Sequence, residues 1–257
     1  MAGVPPDYFS ETGQVWGNPL YRWEEMEKDG WRWWQERFRV LAEQADIVRI
    51  DHFRGFAAAW AVDAVTRDAR RGHWTPGPGA DLFRAVLKAL PGLQLVAEDL
   101  GIITPDVCRL RDGLGLPGMK VLQFHCHTRT DGETSFDTEP GCVAYTGTHD
   151  NNTLRGWFTE ELDAAGRARI LRMVHDWCPE AAQEADGLRW QLLAYLYGRR
   201  ARTVIVPLQD LLWLPSSCRM NTPGTATGNW HWQCPRGVLT PALAARVAAL
   251  VRRYRKG

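Results

Sequence analysis

The sequence contains no apolar run approaching membrane-spanning length, and its first residues lack the charged and apolar regions of a secretory leader. Its cysteines (Cys108, Cys126, Cys142, Cys178, Cys218 and Cys234) form no CxxC pair and no zinc spacing. That removes the zinc-ribbon and dithiol classes and predicts reduced thiols in a cytoplasmic protein. Charge of one sign is also lacking. A formal net charge of +1, with no stripe of Lys or Arg, excludes an electrostatic nucleic-acid footprint. The basic tail at 252–256 reads as a solvated helix end. One GxGxxG pattern exists, at Gly113, Gly115 and Gly118, but it follows a helix and precedes a strand. A dinucleotide site needs the reverse order, so the pattern is discarded.

Tryptophan is abundant, with 13 residues, and indole rings either fill cores or form platforms for apolar ligand faces such as those of sugars. Trp31, Trp33 and Trp34 lie in a helical pattern and read as packing. Trp16 and Trp230 lie among Gly, Asn and Pro in loops, where function is commoner.

Residues 1–23 show no hydrophobic period and read as one long shaped loop. A helix is predicted over 24–45, a helix or loop over 56–69 and a Pro/Gly loop over 72–79. Further helices are expected from Asp81, from Thr104-Pro105, over 160–200 with a break near Pro179, and over 241–253. Short β-branched runs predict five strands near residues 47, 95, 121, 143 and 204. Their alternation with helical or loop crossovers predicts parallel pairing, with polar motifs following the strands at the C-terminal side. The expected fold is α/β of the TIM (β/α)8-barrel type, with only five β/α units present as a single portion of a catalytic domain at 1–257.

The strand ends present Arg49 and Asp51, then Glu98 and Asp99, then His149 and Asp150. Arg49 and Asp51 are two residues apart and face the same side of a strand. A guanidinium there keeps a carboxylate charged and fixes its direction, which suits a nucleophile; a buried Arg–Asp ion pair would read the same way. Glu98 follows Val96-Ala97, an apolar wall that could raise its pKa and leave it as a general acid. His149-Asp150 could orient a hydroxyl and stabilise positive charge. A nucleophilic carboxylate, an acid/base carboxyl and a third supporting carboxylate are the parts of retaining glycosyl transfer.

Three segments carry a specific resemblance: Arg-Ile-Asp-His-Phe-Arg-Gly at 49–55, Ala-Glu-Asp-Leu-Gly at 97–101 and Thr-Gly-Thr-His-Asp-Asn at 146–151. They are similar to the catalytic segments of the amylomaltases, the 4-α-glucanotransferases of glycoside hydrolase family 77. Gly-Val-Pro-Pro-Asp-Tyr-Phe-Ser at 3–10, Gly-Asn-Pro-Leu-Tyr at 17–21, Gly-Leu-Pro-Gly-Met-Lys-Val-Leu-Gln-Phe at 115–124, Met-Asn-Thr-Pro-Gly at 220–224 and Gly-Asn-Trp at 228–230 resemble that family too. The resemblance implies Asp51 as nucleophile, Glu98 as general acid/base and Asp150 as transition-state stabiliser. It implies that Arg49 and His149 contact the donor sugar, that Tyr8, Phe9 and Trp16 cover a maltooligosaccharide or longer α-glucan, and that Asn221 lines the site. It implies no catalytic metal and no cofactor.

The family's chains are longer, and this sequence resembles their C-terminal part. By that comparison three barrel strands are missing, which leaves two open edges. The expectation is a fragment that either transfers glucan or binds it without catalysis, and that self-associates or pairs with a partner chain through those edges. A different class, a metal-dependent phosphohydrolase, would use Asp51-His52 and His149-Asp150 as ligands, but leaves the Trp-rich loops without a role. His73 and His175 receive no role.

Overall fold

The chain divides at Met119 into two units, Met1–Met119 and Lys120–Gly257. Its computed structural model describes residues 1–7, 10–128, 134–177 and 187–254. The first unit runs β1 (Ala2–Val4), β2 (Gln14–Val15), α1 (Trp23–Lys28), α2 (Arg32–Ala42), β3 (Ile47–Ile50), β4 (Ala58–Ala61), β5 (His73–Pro76), α3 (Gly79–Ala89), β6 (Gln94–Ala97) and α4 (Pro105–Gly113). β3 and β6 are parallel, in register from Ile47 opposite Gln94 to Ile50 opposite Ala97. Val48, Ile50, Leu95 and Ala97 are buried with Trp31, Trp34 and Phe38 at α2 and Leu82, Phe83 and Val86 of α3. The spacing of each helical set places it on one face. Trp33, on the other side of α2, stays half exposed.

Five sequence expectations change here. The helix over 24–45 is two helices, because Gly30 and Trp31 both take left-handed φ (71° and 65°) and break the ladder. The shaped loop at the N-terminus and the Pro/Gly loop at 72–79 each contribute strands to an antiparallel sheet ordered β2-β1-β4-β5. Its sequence signal was weak, because Ala58-Ala59-Trp60-Ala61 has little β-branched character; Trp60 opposite Trp74, rings 5.0 Å apart, supplies the cross-strand contact. Residues 56–69 therefore hold the end of a 3-10 turn and β4 rather than a helix. The helix expected from Asp81 starts two residues earlier, at Gly79.

The second unit contains β7 (Met119–Val121), α5 (Leu122–His125), β8 (His127–Thr128), β9 (Thr134–Ser135), β10 (Val143–Tyr145), α6 (Leu154–Gly156), α7 (Ala164–Trp177), α8 (Gly187–Tyr197), β11 (Thr203–Ile205), α9 (Leu208–Leu211) and α10 (Pro241–Tyr254). A three-stranded sheet has the order β11-β10-β7, with β10 and β11 parallel. The strand expected through Phe124 ends at Val121 and turns into α5. The break expected at Pro179 lies outside the described residues. α8 is apolar on nearly every face because two helices cover it. Leu192, Tyr195 and Leu196 meet Ile170, Met173 and Val174 of α7, while Trp190, Leu193 and Ala194 meet Leu243, Val247 and Leu250 of α10.

The fold is thus α/β with parallel strand pairs. Among the described residues the parallel strands form no closed barrel. No described helix is long and apolar enough to cross a membrane.

Candidate active site

The polar group of the first unit sits at the C-terminal ends of β3 and β6. Pairing continues past both strands: the Glu98 N–H donates to the Ile50 carbonyl (2.9 Å), and the Phe53 N–H donates to the Glu98 carbonyl (3.1 Å). Between these bonds the chain turns sharply at His52, a non-glycine residue at φ 47°. That conformation aims the His52 N–H at Glu98, whose Oε2 accepts it at 2.7 Å while Oε1 accepts from the Leu100 N–H at 2.9 Å. Strain of this kind persists only where surrounding contacts fix it, and it clusters at functional sites.

Burial pushes the Glu98 carboxyl up to about 7, against the opposing pull of the Arg49 charge and the Leu100 N–H. Asp51 lies beside it in a different environment. Its side chain is 75% exposed, and its Oδ1 meets Arg49 Nη1 at 2.8 Å. Arg49 is also steered by its Nε, which donates to the Met119 sulfur at 3.3 Å. The His52 ring is held edge-on against Trp16 at 4.7 Å, and burial lowers its pKa to about 4. Trp16 remains 44% exposed, with its indole N–H on Gln14. Trp16, Arg49, Asp51 and Glu98 therefore form one constellation, joined through His52.

Asp99 and Arg54, neighbours of these residues in sequence, serve the scaffold. Asp99 is buried, accepting from the Met119 N–H at 2.7 Å and from Arg111, so it ties the end of β6 to α4 and to Met119, the last residue of the first unit. Gly118 is required beside it, since a Cβ there would lie 2.5 Å from Asp99 Oδ2. Arg54 donates to the Ile102 carbonyl (2.8 Å) and Thr104 Oγ1 (2.9 Å) and stacks on Trp74 at 3.8 Å, which fixes the loop after β6.

The second unit carries its own polar group after β10. Asp150 Oδ1 accepts from Asn221 Nδ2 at 2.6 Å, and its Oδ2 lies 3.3 Å from His149 Nε2. The Asn221 N–H donates to the His149 carbonyl at 3.1 Å, and the Trp230 ring lies 5.3 Å from the His149 ring. Asn151 caps the turn by accepting from the Thr148 N–H and hydroxyl. A cleft of about 190 Å³ opens beside this group, lined in part by His149, Asn152, Gln209, Asp210 and Arg219. Asp210 is buried in its wall. Burial raises its pKa to about 6, although its oxygens accept from the Thr146 hydroxyl (2.5 Å) and the Leu154 N–H (2.7 Å). No three His, Cys, Asp or Glu among the described residues gather in an arrangement that could hold a metal ion.

Residues 1–240 match the 4-alpha-glucanotransferase family, glycoside hydrolase family 77. The chain belongs to that family. It is similar to the 4-alpha-glucanotransferase of Synechocystis sp., 45% identical over 99% of this chain and 50% of that protein. The 4-alpha-glucanotransferase of Thermus thermophilus is 43% identical over 97% of this chain and 50% of its own length. Among solved structures, the amylomaltase from Streptococcus agalactiae in complex with acarbose superposes with a TM-score of 0.90 at 36% identity. It covers 100% of this chain and 51% of that one. The chain spans about half the length of the curated relatives it matches.

Within the family's chain, then, the structure groups Trp16, Arg49, Asp51 and Glu98 in one unit and His149, Asp150 and Asn221 in the other. Tyr8 and Phe9 lie outside the described residues. Sequence reasoning missed His52 as a backbone donor, Asp210 as a buried acid, and Arg219. Arg219 stands one residue before the Met-Asn-Thr-Pro-Gly segment at 220–224, and its isolated charge in an otherwise uncharged loop was the available signal.

Proposed function

We propose that this chain carries the catalytic carboxylates of a 4-alpha-glucanotransferase acting on α-1,4-linked maltooligosaccharides by a retaining double displacement. The observation that carries the reading is the pairing of exposed, Arg49-bound Asp51 with buried Glu98, whose pKa is about 7, at the ends of adjacent parallel strands. Two carboxyl groups in such unlike environments are suited to unlike roles. The Asp51 carboxylate attacks the anomeric carbon as the glycosidic C–O bond breaks, and Glu98 gives its proton to the departing oxygen. The product is a glycosyl ester on Asp51. The 4-hydroxyl of a second sugar then attacks, its proton passing to Glu98, and Asp51 is released as carboxylate. A pKa near 7 lets one group act as acid and then as base at neutral pH. Asp150, held by Asn221, supports the positive charge that develops at the sugar ring, and Arg49 and His149 contact the donor. Tyr8, Phe9 and Trp16 cover the glucan.

In the same reading, β3, β6, β7, β10 and β11 are five units of a (β/α)8 barrel, and the whole chain is one portion of a single catalytic domain. Among the described residues β3 and β11 are terminal in their ladders, and their open edges are surfaces for self-association or for a partner chain. Cys108, Cys126, Cys218 and Cys234 are not disulfide-bonded, which supports a cytoplasmic setting. The test is maltotriose disproportionation by the purified chain beside Asp51→Asn, with size measured by light scattering. Longer oligomers from the wild type alone support the reading. Equal products from both variants overturn the role of Asp51.

A further inference from the structure

Arg219 is the one cation hydrogen-bonded to the backbone of Asp150 among the described contacts, and nothing in the reaction scheme uses it. Its guanidinium reaches two separate loops. Nη2 donates to the Asp150 carbonyl at 2.6 Å, and Nε donates to the Asn221 carbonyl at 2.7 Å. These are the two residues whose side chains meet at 2.6 Å. The guanidinium therefore closes a ring: main chain of Asp150 to Arg219, Arg219 to main chain of Asn221, Asn221 side chain to the Asp150 carboxylate. Its remaining end, Nη1, points toward Glu161 Oε1 at 4.0 Å, and that carboxylate also accepts from Asn152 Nδ2 at 2.8 Å. The arrangement sits half-buried against the cleft wall. Burial lowers the Arg219 pKa, with the Glu161 and Asp150 charges acting in the opposite direction.

We infer that Arg219 is the positioning residue for Asp150, setting the carboxylate's direction by clamping the backbone on both sides of the Asn221–Asp150 bond. The inference rests on the proposed role of Asp150 in glucan transfer. A planar fork with donors at fixed spacing can hold two carbonyls from different loops at once; a lysine ammonium is a single point donor and holds one of them well. Trp230 depends on the same clamp. Its N–H donates to the carbonyl of Met220, between Arg219 and Asn221, at 2.7 Å, and its ring rests near His149.

The test compares the full chain with Arg219→Lys and Arg219→Met by two readouts: the NMR signal of the Asn221 side-chain amide, assigned by its loss in Asn221→Ala, and maltotriose kinetics. The expected result is an Asn221 amide displaced in Arg219→Met and less so in Arg219→Lys. kcat should fall about 100-fold in Arg219→Met, the scale of an ångström's misplacement of a catalytic group, with KM within about twofold. An Asn221 signal unmoved in Arg219→Met overturns the inference, as does a raised KM with kcat intact, which would make Arg219 a substrate contact. Should Arg219→Met fail to fold, the signal in Arg219→Lys decides by the same criterion. A wild-type chain with no transfer activity refutes the transferase reading, while the Asn221 signal still decides whether Arg219 is the clamp.

Discussion

Replacing Glu98 by Gln should make the chain less stable in acid and more stable in base than the wild type. The Glu98 carboxyl rises from an ordinary 4.5 to about 7 on burial. Because the folded value lies above the unfolded one, neutral Glu98 contributes stability that is complete below pH 4.5 and is lost as the pH climbs through 7. At about 1.4 kcal/mol per decade the full loss is about 3 kcal/mol, most of it between pH 5 and 8. His52 has the opposite sign. Burial lowers it to about 4, so its contribution is present above its unfolded value and is lost as the pH falls toward 4. The wild-type curve is therefore a sum of opposing slopes, and only the difference from Glu98→Gln isolates one group. Gln offers a single acceptor where two N–H groups, of His52 and Leu100, are waiting. It should begin about 1–2 kcal/mol less stable at pH 5, the cost of one unsatisfied buried donor. By pH 8 the variant should be more stable by a similar amount. Urea unfolding followed by tryptophan fluorescence at four pH values measures the gap. A gap constant from pH 5 to 8 would refute the burial argument and with it the acid/base assignment.

Other substitutions probe the scaffold around each group. Gly118→Ala places a Cβ 2.5 Å from Asp99 Oδ2 and 2.9 Å from Arg111 Nη1, so it should disrupt a buried ion pair and cost about 3 kcal/mol, read as a lowered thermal midpoint. Asp210→Ala strips the acceptor from the Leu154 N–H and the Thr146 hydroxyl. Because the Asp210 pKa is raised to about 6, its stabilising neutral form is lost as the pH rises through that value, and the cost of the substitution should be about 2.4 kcal/mol smaller at pH 8 than at pH 4 in urea titrations. Asn221→Asp sets a second carboxylate where a donor faced Asp150 Oδ1. It should lower kcat for maltotriose at pH 7 by about 100-fold, with recovery toward acid as one of the pair is protonated.

The parts of the fold that the sequence revealed are those in which one segment decides its own state. β3, β6, β10 and β11 are β-branched or apolar runs ending in polar residues, and their partners hardly alter what they form. The antiparallel sheet was hidden because β4 is mostly alanine and β5 lies between Gly72 and Gly77; each becomes a strand through its partners, β4 between β1 and β5, with Trp60 against Trp74. The division of α1 from α2 was missed by the single helix expected over 24–45, although Gly30 carried a signal for it; left-handed Trp31 carried none, since an indole gains that conformation only from the core it fills. At the site, the strand-end placement of Asp51 and Glu98 and the apolar wall behind Glu98 could be read directly. The sorting of Glu98 from Asp99 could not. Adjacent acids diverge because Arg111 and the Met119 N–H, 12 and 20 residues onward, claim Asp99. Arg219 was hidden for the same reason: it acts on Asp150 from 69 residues away.

The central claim is that Asp51 forms a covalent glycosyl ester. The direct measurement is intact and peptide mass of Glu98→Gln after incubation with α-maltosyl fluoride, whose leaving group departs without an acid while the missing base slows release. The account predicts one maltosyl unit per chain, located on Asp51 and absent from Asp51→Asn. An adduct on any other residue, or none on a folded chain that still consumes the fluoride, would contradict it.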